Sequence, residues 1–146
     1  MPPLITIPPT PLPPASNARL LFDQHRLEET VAFCQKELPL LEKEIPAKSQ
    51  KLPEQEDPSA APYQYYALNC LLVEALAELG RWKPAKEALG RYRTHFPRDP
   101  WGYTLGADIT RRDPAVKDRS AVEHAADLLE AEGRRLAGKS ARKRPG

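Results

Sequence analysis

Apolar residues recur at Leu27, Val31, Cys34, Leu38, Leu41 and Ile45, at alternating spacings of four and three. That spacing places all six on one stripe of an α-helix. Pro39 falls within the stripe, where it removes one amide donor and bends or splits the helix, and Pro46 is placed to end it. A shorter helix is predicted before it, capped by Ser16 or Asn17 and running from Ala18 to about His25, with Leu20, Leu21 and Phe22 on its apolar side. Downstream, Tyr66, Leu68, Leu71, Leu72, Ala75, Leu76 and Leu79 give a helix from about Tyr63 to Leu79, with a face wide enough for two neighbours.

Gly80 then tolerates the positive φ of a helix stop. Pro84 suits the first turn of a further helix, which uses Ala85, Ala88, Leu89, Tyr92 and Phe96 and stops at Pro97. Trp101, Tyr103, Leu105 and Ile109 predict a short helix weakened by Gly102 and Gly106. Asp113 as a cap and Pro114 in the first turn predict a last helix over 115–136, with Val122, Ala125, Leu129 and Leu136 on one face. The helical periods and the stops between them make the fold class all-α.

Proline divides the chain. Of 17 prolines, seven lie between Pro2 and Pro14, and residues 1–16 therefore read as an extended leader. The leader is a tether or a strap over the domain's own surface, and Pro8 to Pro11 gives one PxxP spacing for an aromatic groove. Residues 46–62, polar and proline-punctuated, form a linker that is mobile or holds one extra turn. The helical domain thus spans 17–136, and 137–146 is a basic tail without predicted structure.

Length and chemistry narrow the function. A chain of 146 residues makes one domain. The net charge is +2, but the segment 81–98 carries six Lys and Arg against one acid, and 134–146 carries six against none. Cys34 and Cys70 lie in apolar periodic segments and read as small buried hydrophobes, not a disulfide framework. No run is long enough to span a bilayer, and the N-terminus lacks a signal-peptide pattern, so cytoplasm is the expected location and no membrane insertion is expected. His25, His95 and His124 are scattered, without a nearby carboxylate or cysteine constellation. Neither a phosphate-cradling glycine loop nor metal-ligand spacing is present. A non-catalytic protein without cofactor or metal is the expectation.

Within LAELGRWKPAKEALGRYRTHFPRDP, Gly80, Trp82, Ala85 and Pro97 mark a turn, an aromatic, a small residue and a closing proline. Leu72, Leu76 and Leu89 stand at packing positions. Over residues 68–100 this segment resembles the tetratricopeptide repeat, although Tyr92 stands where that family prefers a small residue and Asn69 where it prefers a large aromatic. A degenerate echo lies upstream, with His25, Leu27, Thr30 and Cys34 at the corresponding positions. The 46–62 linker breaks a strict period of about 34 residues. The architecture is thus either tetratricopeptide-like helix-turn-helix repeats or a small helical bundle.

The resemblance implies a docking module or adaptor that holds a partner protein or peptide in a groove lined by the first helix of each pair. Asn69 and Val73 would face that groove, Glu74 would neighbour it, and Arg81 would sit at its turn edge. Tyr63, Tyr65 and Tyr66, with Trp101 and Tyr103, supply aromatic contact surface. The competing expectation is a nucleic-acid-associated accessory protein. Its anion contacts would be Lys86, Arg91, Arg93 and Arg98, joined by Arg142, Lys143 and Arg144 of the tail. Self-association through exposed end faces, as a homodimer or in a larger assembly, is a further expectation.

Overall fold

The computed structural model describes residues 13–46, 48–49, 52–53 and 57–143, with side chains to residue 138. It contains six helices: α1 (Pro14–Asp23), α2 (Leu27–Glu42), α3 (Ala61–Glu78), α4 (Trp82–His95), α5 (Pro100–Arg112) and α6 (Arg119–Lys143). No strand occurs among the described residues. Each helix packs on the next, and α1 also packs on α3. The chain therefore stacks helices in sequence order, and α3 lies against α1, α2 and α4.

The two hairpins α1–α2 and α3–α4 turn in the same way. His25, with φ 59°, and Gly80, with φ 74°, both take the left-handed conformation. His25 donates its backbone N–H to Phe22 O at 2.9 Å, and Gly80 donates to Ala77 O at 3.0 Å. The next residue reaches one step further back in each hairpin: Arg26 N–H to Leu21 O at 3.0 Å, and Arg81 N–H to Leu76 O at 2.8 Å. These paired bonds satisfy carbonyls that a helix end otherwise leaves without partners. The corresponding positions Thr30 and Ala85 are both fully buried, and so are Cys34 and Leu89 four residues on.

Several boundaries differ from expectation. α1 begins at Pro14, so Ser16 and Asn17 lie inside it and cap nothing; Pro13 precedes it, and proline in the first turn forfeits only a donor that the helix cannot use. Pro39 sits within α2 without splitting it, on an exposed face. The helix ends at Glu42, ahead of Pro46, and Ile45 then folds back into the core at 5% exposure.

The last hairpin is built another way. α5 is a full helix of 13 residues despite its two glycines. α6 starts at Arg119, not 115, because Asp113 accepts from Ala115 N–H and from Lys86, leaving Asp118 to cap α6 through Ala121 N–H at 3.1 Å. Ala126 replaces Ala125 on its buried face. The helix also continues to Lys143, into the tail expected to lack structure. No helix among the described residues is long and apolar enough to cross a membrane.

A core cluster runs from Ala18 to Ile109 through α1–α5, and Ala107, Val122, Ala126 and Leu136 are buried besides. Its centre is aromatic. Tyr65 stacks on Tyr92 at 6.0 Å between centroids, and Phe96 and the edge of Trp101 close on the same ring. Each such pair adds about 0.5–1.5 kcal/mol beyond burial. The Tyr92 hydroxyl donates to buried Asp99, whose other oxygen caps α5 by accepting from Trp101 N–H at 3.0 Å. Burial raises the Asp99 carboxyl above the ordinary range, against the opposing pull of those two donors.

Part of the 46–62 linker belongs to this fold. Lys48 N–H donates to Thr94 O at 3.1 Å and Ser49 N–H to His95 O at 2.8 Å, so the linker occupies carbonyls at the end of α4. Pro53 is fully buried. The expected leader over 1–16 lies outside the described residues as far as residue 12.

Candidate functional site: an apolar groove between α1 and α3

Because three helices surround α3, most of its surface is spent on packing. Tyr65, Asn69 and Val73 are 1%, 2% and 1% exposed. Val73 is a core residue, which corrects the expectation that it contacts a partner, while Tyr65 and Asn69, also nearly covered, line a smaller cavity of about 310 Å³ with Glu42 and Arg91. The Tyr65 hydroxyl donates to Glu42 Oε2 at 2.8 Å, and burial, followed by that carboxylate, pushes its pKa up. The Asn69 amide donates to Tyr65 O at 2.9 Å, one turn back on its own helix.

One stripe of α3 stays open: Tyr63, Tyr66, Ala67, Cys70 and Glu74, spaced to fall on a single face. Opposite stand Ala15, Ser16, Arg19 and Leu20 of α1, and the turn at 57–59 closes one end. Together they line a groove of about 830 Å³. Its walls are mainly apolar, and Leu20 remains 52% exposed at its edge. This volume falls within the range of about 300–1,000 Å³ typical of binding clefts.

Hydrogen bonds fix the mouth of the groove. The Gln64 side chain accepts from Ala15 N–H at 2.8 Å, satisfying a donor in the first turn of α1. Its amide donates to Pro58 O at 2.5 Å. Asp57 accepts from the backbone N–H and the hydroxyl of Ser59, at 2.9 and 2.8 Å, which lowers its pKa and tightens the turn leading into α3. One glutamine thus ties together α1, the turn and α3, the three parts that form the cleft.

Of the aromatic residues singled out from sequence, Tyr63 and Tyr66 line the groove and meet edge to face at 6.1 Å. Trp101 is half-buried and packs its edge on Tyr66 at 5.2 Å, so it supports the groove's aromatic wall from α5. Tyr103 lies elsewhere, its hydroxyl donating to Pro97 O at 3.1 Å. Sequence reasoning missed Leu20 and Cys70. Both were read as core, whereas Leu20 is exposed and Cys70 is part-exposed in the groove. Only Cys34 is a fully buried thiol, its pKa pushed up to about 12 by burial.

No protein-family model, curated protein or solved structure matches this chain significantly.

Two of the basic residues singled out for anion contact already have carboxylate partners. Lys86 pairs with Asp113 at 2.7 Å, and Arg91, still largely exposed, with Glu42 at 2.8 Å, so an incoming anion would compete with a carboxylate at each. Arg93 and Arg98 meet no carboxylate among the described residues, and Arg98 is exposed. Arg142 and Lys143 belong to the backbone of α6, their side chains lying outside the description, and Arg144 lies beyond the described residues. No group of three or more His, Cys, Asp or Glu side chains suited to a metal occurs among the described residues.

Proposed function

We propose that this protein is a non-catalytic docking module that seats an apolar peptide or the apolar face of a helix from a partner protein. The α1–α3 groove carries this reading. It is concave, mainly apolar and rimmed by Tyr63 and Tyr66, which combine large contact area with a polar tip. Leu20, half-exposed at its edge, extends the apolar surface that a partner would cover. Support for a tetratricopeptide-like arrangement comes from the matched turns at His25 and Gly80 and from the packing of α1 on α3, which sets the first helices of two successive hairpins side by side. Accessory binding to nucleic acid has less support, since Lys86 and Arg91 are already neutralised by Asp113 and Glu42.

The test compares baits in quantitative pull-downs from native extract, at two salt concentrations and with nuclease. Ala67→Arg places a charge in the groove, and Arg98→Glu alters the basic surface instead. A protein partner that survives nuclease, loses at least about tenfold in recovery with Ala67→Arg and persists with Arg98→Glu is the expected result. Partners lost to nuclease and to Arg98→Glu would replace the groove with the basic surface.

A further inference from the structure

Arg93 leaves α4 toward α5 and crosses it where two glycines sit one turn apart. A methyl group at Gly102 would stand 3.0 Å from Arg93 Cγ, and one at Gly106 2.8 Å from Nη1. The glycines that looked like helix weaknesses thus make room for this side chain. Nη1 donates to Gly102 O at 2.9 Å, and the guanidinium carbon lies 5.6 Å from the centre of the Tyr103 ring. The head group is held in one orientation and is half-buried.

Its charge is unanswered. Among the described residues no carboxylate pairs with Arg93, whereas every other arginine with a described side chain, except exposed Arg98, has one within ion-pair distance. Burial lowers the Arg93 pKa, the sign of a cation withdrawn from water. Arg135 of α6 also interacts with Tyr103, but Glu132 answers its charge, and no carboxylate does the same for Arg93 among the described residues. Nε and Nη2 make no hydrogen bond among the described residues, and that edge of a guanidinium matches a carboxylate with two parallel bonds. An oriented, partly desolvated cation gains more from an incoming anion than one fully in water.

We propose that the Arg93–Tyr103 patch between α4 and α5 is a second docking point, taking the side-chain carboxylate of an acidic segment of a partner protein. It shares no residue with the α1–α3 groove, so each site stands or falls alone.

The probe is fluorescein-labelled hexaglutamate with the full-length protein, read by anisotropy and by the Arg93 Nε–Hε resonance. The expected result is a shift of that resonance on titration. Arg93→Met keeps the stem over the glycines and should weaken binding about tenfold or more; Arg98→Met should cost less than about twofold. Arg93→Lys keeps the charge but not the fork, should weaken binding several-fold, and decides the matter if the methionine variant does not fold. An unmoved resonance, equal losses for Arg93→Met and Arg98→Met, or displacement of the peptide by hexathymidine at lower concentration than by unlabelled hexaglutamate would each overturn the proposal.

Discussion

Asp113 and Asp99 show how a carboxylate's surroundings decide what it contributes. Asp113 is buried at the end of α5, holding Lys86 and accepting from Ala115 N–H, and these partners lower its pKa. A depressed folded-state pKa adds stability that is present above the unfolded value, near pH 4, and is lost as pH falls through the folded value. Asp99 works in the opposite sense: its raised pKa means that ionisation opposes folding as pH rises above the ordinary carboxylate range. Asp113→Asn should therefore be less stable than the native protein at pH 6, with the gap narrowing by pH 2.5. Urea unfolding at the two pH values checks this, and an unchanged gap would remove the Lys86–Asp113 pair from the acid response.

At the scale of the element, the repeated turn is the informative feature. Gly80 adopts its left-handed φ without a Cβ penalty, whereas His25 adopts nearly the same angle with one. His25→Gly should stabilise the protein by up to about 1 kcal/mol, and Gly80→Ala should destabilise it by a similar amount; no atom lies within 4 Å of the added methyl, so strain in φ, set against the smaller entropy of the unfolded chain, decides the sign. Thermal melting of the two variants measures both signs. The turn at Gly80 was legible because glycine announces it, and the α2 stripe because its period is unbroken. The start of α6 was not legible, since Asp113 and Asp118 are equally good caps until Lys86 and Ala115 are seen to occupy the first. Nor does local sequence show that Gly102 and Gly106 accommodate an arginine from another helix.

For the whole molecule, the position of α3 decides what can be a site. Tyr63, Tyr65, Tyr66, Asn69 and Val73 are close in sequence, yet α1, α2 and α4 cover the second, fourth and fifth and leave the first and third lining the groove. Sequence identified the aromatic material of the site but not which faces survive assembly, because that depends on three partners at once. Leu20 was misplaced for the same reason: an amphipathic pattern ranks faces by apolarity, not by whether a neighbour arrives to cover them.

The docking of Lys48 and Ser49 onto the end of α4 has a practical consequence. The polypeptide before residue 54 is anchored both by the α2–α3 interface and by these backbone bonds, so its attachment does not depend on covalent continuity through 54–56. Two separately produced fragments, 1–53 and 57–146, should recombine into a stoichiometric complex with the helical content of the intact chain. Size-exclusion chromatography with circular dichroism reads the outcome. The protein would then serve as a split reporter whose halves reassemble around a pre-existing seam.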